Sequence, residues 1–382
     1  MNRTIYNEDH EAFRQSYRSW VDNEIVPHDD EWNKAEITPR SLFTNAGNHG
    51  FLGFDIPEEF GGGGVEDFRF NAIAAEEIQM AGVTASGLGM TLHNDICVPY
   101  FLKYCTAEQK QRWLPGISSG ELITAIGMTE PGIGSDLASM GTTALRDGDS
   151  YVVNGSKTFI TNGINADLVV LAVKTDPNER HKGMSLIIME RGLEGFERGR
   201  NLDKMGMKAQ DTAELFFNDV HVPATNLLGE EGQGFAMLVD NLPQERLSIA
   251  IAGVAAAKAA FEWTLTYVQE RKAFGQTIGS FQNTKFVLAE VATEIEVAQA
   301  YIDQSILALN AGTLTAEDAA MGKWWCTELQ KRAIDKCLQL FGGYGYMSEY
   351  PISRAYRDAR VTTIYGGTTE IMKEIIGKSL GL

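Results

Sequence analysis

A few short stretches of this chain hold residues whose types and spacing could do chemistry. Residues 242–247 read LPQERL and set a carboxylate, Glu245, beside a cation, Arg246. In the first turn of a helix opened by Pro243, Glu245 would complement the helix dipole, a term of about 0.3–1 kcal/mol. In a dry pocket it would become a base, because burial raises its pKa toward neutrality. Residues 361–365 form a strand-like β-branched run that breaks at Gly366-Gly367, and Thr368 then precedes apolar residues at helical spacing. Paired glycines ahead of a helix let a ligand approach free backbone N–H groups, although a plain turn capped by Thr368 accounts for the same residues. Residues 127–137 (GMTEPGIGSDL) read as a strand, a Pro-Gly turn and a group of hydroxyl and carboxylate side chains. In KTFITNG (157–163), Phe159 and Thr161 fall on one side of a strand by the two-residue period. RKAFG (271–275) and QLFGGYGYMSEYPISRAYRD (339–358) supply an arginine and a glycine-rich turn. A planar guanidinium and glycine N–H groups both suit phosphate oxygens.

The elements that must position these groups come in three blocks. Residues 1–122 read as helical. Phe13, Tyr17, Trp20, Val21 and Ile25 make an amphipathic start that ends near Pro27. EEFGGGG reads as a flexible loop, residues 69–81 as a helix by composition, and Thr106 with Gln109 as a capping pair. Residues 85–90 are small enough for another backbone or a ligand to lie against them. Residues 123–234 change to short runs rich in Val, Ile, Phe and Thr, among them YVVNG, KTFITNG, LVVLAV, SLIIME and ELFFNDVHV. They predict an all-β barrel or sandwich, with GEEGQG (229–234) as the linker out of it. Residues 235–382 return to long helical segments at 247–271, 286–309 and 316–340, which suggest an antiparallel bundle.

Several function classes are disfavoured. A formal charge of −18 over 382 residues argues against nucleic acid or an anionic membrane as partner. No uncharged apolar run approaches the roughly 18 residues of a membrane span. Glu8, Asp9 and Glu11 stand where a signal peptide needs an apolar stretch, so a cytoplasmic protein is expected. Cys97, Cys105, Cys326 and Cys337 form no CxxC and have no histidine at ligand spacing, so reduced thiols and no metal site are expected. GIGSDL and GGYGYM lack the third glycine of a Rossmann fingerprint.

Taken together along the whole chain, these stretches resemble the acyl-CoA dehydrogenases, flavoenzymes that oxidise acyl-CoA thioesters to trans-2-enoyl-CoA. GMTEPGIGSDL resembles the family's first signature, with Ile133 where a small residue is usual. The stretch 339–358 resembles the second at Gln339, Gly342, Gly343, Gly345, Tyr346, Glu349, Arg354 and Asp358. The resemblance implies an α+β multidomain fold with an N-terminal helical domain (1–122), a middle β-barrel domain (123–234) and a C-terminal four-helix bundle (235–382). It implies FAD as cofactor. Met128, Thr129, Gly134 and Ser135 would line it. Phe159, where Trp is common, would pack on the flavin, and the Thr161 hydroxyl would bond to N5. Arg271, Phe274, Gln282, Gln339, Gly342, Gly343, Thr368 and Glu370 would hold the nucleotide part. Ser135, Arg246 and Gly367 would meet the substrate.

In many members the base is the Glu of a Tyr-Glu-Gly-Thr loop, a slot filled here by Gly366. The long-chain and isovaleryl types carry the base instead within Glu-Arg-Leu, and Glu245-Arg246-Leu247 matches that pattern. The resemblance thus makes Glu245 the expected base and the Gly366 N–H a donor to the thioester oxygen. It implies dehydrogenation of a long-chain or branched acyl-CoA in fatty-acid β-oxidation or related acyl catabolism. It also implies a homotetramer with FAD bridging subunits, and electron-transfer flavoprotein as acceptor. The competing expectations are a thioester oxidase, a carrier-protein-linked dehydrogenase, and a non-catalytic flavin or acyl-CoA binding protein whose base was lost at Gly366.

Overall fold

The computed structural model describes residues 3–382. Its first helix, α1 (Glu8–Glu24), opens on a reciprocal cap between Asn7 and His10. The N-terminal part continues with α2 (Asp29–Ala35), α3 (Ser41–Asn48), α4 (Phe68–Met80), α5 (Thr84–Thr91), α6 (Val98–Tyr104) and α7 (Ala107–Ser119). A π-helical turn, Leu92–Cys97, joins α5 to α6. Thr106 and Gln109 cap α7 as expected. The glycine run 61–64 is not the flexible loop expected from its composition. Gly63 and Gly64 donate to the Gly53 and Ile56 carbonyls, and a Cβ at Gly62 would lie 2.2 Å from the Ile56 oxygen. Glycine serves there for close backbone approach.

The strands follow: β1 (Thr124–Gly127), β2 (Thr143–Asp147), β3 (Ser150–Thr161), β4 (Leu168–Lys174), β5 (Met184–Glu190), β6 (Phe196–Asn201), β7 (Thr212–Pro223) and β8 (Leu227–Leu228). They form one sheet in the order β6-β7-β3-β2-β4-β5-β8, with β1 parallel to β4. YVVNG and KTFITNG, read as separate runs, belong to the single strand β3, whose register against β7 shifts twice. β4 and β5 are buried on both faces, which is why they read as continuous apolar runs. One face of β4 (Val169, Leu171, Val173) closes on Tyr151, Val153, Leu215 and Val222 inside the curled sheet. The other (Leu168, Val170, Ala172) packs on Tyr100, Phe101, Trp113 and Leu114 of the N-terminal helices. Among the described residues β6 and β8 do not pair, so the barrel stays open on one side.

The C-terminal part holds α8 (Gly234–Glu270), a small hairpin of β9 (Lys272–Ala273) and β10 (Gln276–Thr277), then α9 (Gln282–Asn310), α10 (Ala316–Phe341), α11 (Pro351–Asp358) and α12 (Thr369–Ser379). Ile251, Val254 and Ala257 of α8 interlock with Val291, Ile295 and Ile302 of α9 and with Cys326, Leu329 and Ala333 of α10. α12 packs on α10 as a short fourth helix. α4 joins the same core through Phe68, Ala72 and Ala75. Among the described residues α8 alone is long and apolar enough to cross a membrane, but 61% of its apolar window is buried inside the protein, as befits the central helix of a bundle.

Two expectations fail here. α8 starts at Gly234, not near Pro243, which sits inside the helix. Proline removes the donor for the Val239 carbonyl, and Val239 lies on an exposed side of the helix, where water can take that donor's place. The β-branched run 361–365 is not a strand. Ala359–Thr363 forms a 3-10 helix, tied to α10 by the Thr362 hydroxyl donating to Gln330 Oε1 at 2.8 Å. With no strand alongside to pair with, β-propensity has nothing to act on.

Candidate active site

Glu245 lies about three turns into α8 and is 3% exposed. A dipole effect fades beyond the first turn, so charge complementarity at a helix start does not explain this residue. The Tyr100 hydroxyl, from α6, donates to Glu245 Oε1 at 2.9 Å. Burial pushes the Glu245 carboxyl up to about 7, while the Tyr100 hydrogen bond and then the Arg246 and Lys103 charges pull it back. Burial, followed by the Glu245 charge, raises Tyr100 well above the ordinary phenol value, so the phenol keeps its proton and donates. The residues flanking Glu245 are pinned to the π-helical turn, a geometry frequent at functional sites. Gln244 Nε2 donates to the Asp95 carbonyl at 2.8 Å, and the Ser248 hydroxyl donates to the Asp95 carboxylate.

One turn beyond Glu245, Ile249 meets the loop that carries Gly366. Gly366 has φ +61°, and a Cβ there would lie 2.3 Å from Ile249 Cδ1. The left-handed backbone disfavours a side chain there, and a Cβ would have to displace the end of Ile249. Lys323 of α10, fully buried, donates from Nζ to the Gly367 carbonyl at 2.6 Å. Burial, then the neighbouring Arg246 charge, lowers Lys323 to about 8. Thr368 caps α12 by accepting from the Ile371 N–H.

Gly366, Gly367 and Thr368 form one wall of a cleft of about 710 Å³. The lining also takes in Thr129, Gly134 and Ser135 from the loop after β1, and Phe159 and Thr161 from β3. Phe159 has φ +60° and is 69% exposed; such strain tends to occur at ligand sites. Phe159 and Thr161 share a side as expected, but through a register shift between Lys157 and Ile160. The buried Lys157 ties that irregularity to the loop, donating to the Met128 carbonyl at 3.1 Å and to Glu130 Oε1 at 2.8 Å. Ile133 packs, partly buried, against the apolar face of the sheet. Lys204, Arg357 and Arg360 also line the cleft. Glu245 and Arg246 do not reach its surface.

The remaining expected cofactor residues gather elsewhere. Arg271, just past the end of α8, lines a second cleft of about 550 Å³ with Gly342, Gly343, Tyr267, Phe341 and Tyr344. The Arg271 guanidinium lies 5.2 Å from the Tyr344 ring. Gly342 has φ +58° and open space where a Cβ would be. Phe274 stands at the tip of the β9–β10 hairpin, 95% exposed. Phe274 and Gly275 both have positive φ, as a type I′ turn requires. Gln282, Gln339 and Glu370 are exposed and lie outside both clefts. The two clefts share no residue. The first offers an aromatic face and hydroxyls to a planar ring system, and the second offers an arginine beside glycine N–H groups to a pyrophosphate, so the residues present fit FAD. Tyr100, Lys157 and Lys323 carry no signal in the sequence that marks them for this site.

Three family models match the chain: Acyl-CoA dehydrogenase, N-terminal domain over residues 7–121, middle domain over 125–220 and C-terminal domain over 232–381. The long-chain specific acyl-CoA dehydrogenase, mitochondrial, of Mus musculus is 46% identical over 380 residues, covering 99% of this chain and 88% of that protein. An acyl-CoA dehydrogenase from Geobacillus kaustophilus, solved by crystallography, is 50% identical with a TM-score of 0.98, and the match covers 100% of both chains. A glutaryl-CoA dehydrogenase from Mycobacterium smegmatis, solved in complex with FADH2, is 26% identical with a TM-score of 0.92, over 98% of this chain and 95% of that one.

Proposed function

Because the chain belongs to the acyl-CoA dehydrogenase family, whose members use FAD to oxidise acyl-CoA thioesters, we propose that Glu245 is its catalytic base and that its substrate is a long-chain or branched acyl-CoA. The observation that carries this reading is the buried Glu245 carboxyl, pushed up to about 7, on the face of α8 that abuts the side-chain-free Gly366 through Ile249. A carboxylate of that pKa is well matched to accept a thioester α-proton near neutral pH. The Gly366 N–H would donate to the thioester oxygen as charge develops there, with the Lys323–Gly367 bond steadying the loop. Bound FAD would supply the hydride-accepting chemistry at the β-carbon.

Met128, Thr129, Gly134, Ser135, Phe159 and Thr161 would hold the flavin end. Arg271, Gly342 and Gly343 would hold the pyrophosphate, with Phe274, Gln282, Gln339, Thr368 and Glu370 supporting the nucleotide. The family resemblance suggests a homotetramer with FAD shared between chains, each of the two clefts then serving one end of the cofactor. Lys204, Arg357 and Arg360 would face the phosphates of substrate or cofactor. Electron-transfer flavoprotein is the acceptor this reading adopts. Identity of 46% with a long-chain specific relative favours long acyl groups.

The test is an anaerobic titration of the purified holoprotein with straight and branched saturated acyl-CoAs, following the visible flavin band. The preferred chain should bleach it fastest. Glu245→Gln should slow bleaching by about 10²- to 10⁴-fold with the protein still yellow. Near-normal bleaching in that variant would overturn the base assignment. No bleaching of wild type by any of the thioesters would leave a binding protein.

A further inference from the structure

Among the described residues Tyr100 is the one side chain hydrogen-bonded to the Glu245 carboxylate, and no part of the mechanism above uses it. Its placement does not depend on a ligand. α6 begins where the π-helical turn ends, and that turn is bonded to α8 at Gln244 and Ser248, on either side of Glu245. The phenol is fully buried. Asn241, one turn before Glu245 on α8, is also buried, has no partner for either amide atom, and lies beside the same phenol.

We propose that Tyr100 is the positioning residue of the base: its hydroxyl keeps the Glu245 carboxylate ionised and in one orientation. This rests on the reading of Glu245 as base. The physical need is specific to a base carried on a core helix. Burial without a donor would leave the carboxyl protonated at neutral pH and unable to take a proton. The groups that face Glu245 are Tyr100 and Lys103 from α6, Cys97 from the end of the π-helical turn, and Arg246 on α8 itself. Burial keeps the Cys97 thiol neutral, and neither cation is bonded to the carboxylate. Tyr100 occupies Oε1, so Oε2 is the oxygen left to receive the α-proton. As the substrate C–H bond breaks and the Oε2–H bond forms, the phenol keeps its own proton and goes on donating to Oε1.

The test is the pH dependence of the anaerobic half-reaction in wild type, in Tyr100→Phe, and in protein with 3-fluorotyrosine at position 100, a stronger donor of nearly the same shape. Tyr100→Phe should move the acidic limb up by about one pH unit. At pH 6 it should be roughly tenfold slower than wild type, recovering toward the wild-type rate at pH 9. Fluorotyrosine should move the limb down. Infrared titration without substrate gives a second readout: the carboxyl band that Glu245→Gln removes should titrate higher in Tyr100→Phe. If Tyr100→Phe does not fold, the fluorotyrosine protein decides the matter in both measurements. An inactive Glu245→Gln with an unmoved limb and band in the Tyr100 variants would overturn the role of Tyr100 alone. An active Glu245→Gln would overturn the base assignment and this role with it.

Discussion

At the scale of single residues, the bare loop position facing α8 combines a backbone that disfavours a side chain with a close contact to the end of one isoleucine. Gly366 combines positive φ with a Cβ position 2.3 Å from Ile249 Cδ1. Gly366→Ala should therefore destabilise the protein by about 1–3 kcal/mol. Adding Ile249→Ala should remove the steric part and leave the backbone part. Denaturant unfolding of both single variants and the double variant measures this as a coupling energy, and strictly additive effects would mean that the Ile249 contact does not set the constraint. Glu245 was legible in sequence through the three residues Glu245-Arg246-Leu247. Its hydrogen-bond partner was not, because Tyr100 lies 145 positions away and looks like any other aromatic on an apolar helix face. Lys323 was equally silent. A lysine in a helix reads as solvated until the fold brings the Gly367 carbonyl to it.

At the scale of elements, composition revealed the succession of helices, strands and helices but not the irregularities that aim side chains. The register shift in β3 that turns Phe159 into the cleft leaves no mark in KTFITNG, because it depends on pairing with β7. Pro243 suits a helix start, since proline favours the first turn, yet α8 runs through it. The β3 irregularity is held by Lys157, and Lys157→Met would leave the largely buried Glu130 carboxylate without its cation. The Gly141 and Thr142 N–H groups still donate to Glu130, so the cost should sit near the lower end for a broken buried pair, about 3 kcal/mol. The melting temperature and the flavin-to-protein absorbance ratio should fall together. A lower melting temperature with full flavin content would show that the β3 irregularity is not needed to hold the cofactor.

At the scale of the whole molecule, several carboxyl groups are held above their ordinary values by burial: Asp55 and Asp358 at about 6, Asp95 and Glu245 at about 7. Each binds its proton more tightly folded than unfolded. Its contribution to stability is therefore fully present below the unfolded value near 4 and is lost as pH rises through the folded value. For Asp95 that window runs from about pH 4 to 7. Asp95→Asn removes the titration, so its melting temperature relative to wild type should rise between pH 5 and pH 8. A difference that stays flat across that range would mean that Asp95 does not titrate in this window.

The two clefts with no residue in common carry one more consequence. If one FAD spans two chains, cofactor retention and chain assembly are a single linked equilibrium governed by mass action. Dilution would then draw flavin off the protein as surely as competition for the flavin would, and added FAD would pull free chains together. The amount of competent enzyme would climb more steeply than the amount of chain made, so expression level itself would act as a threshold.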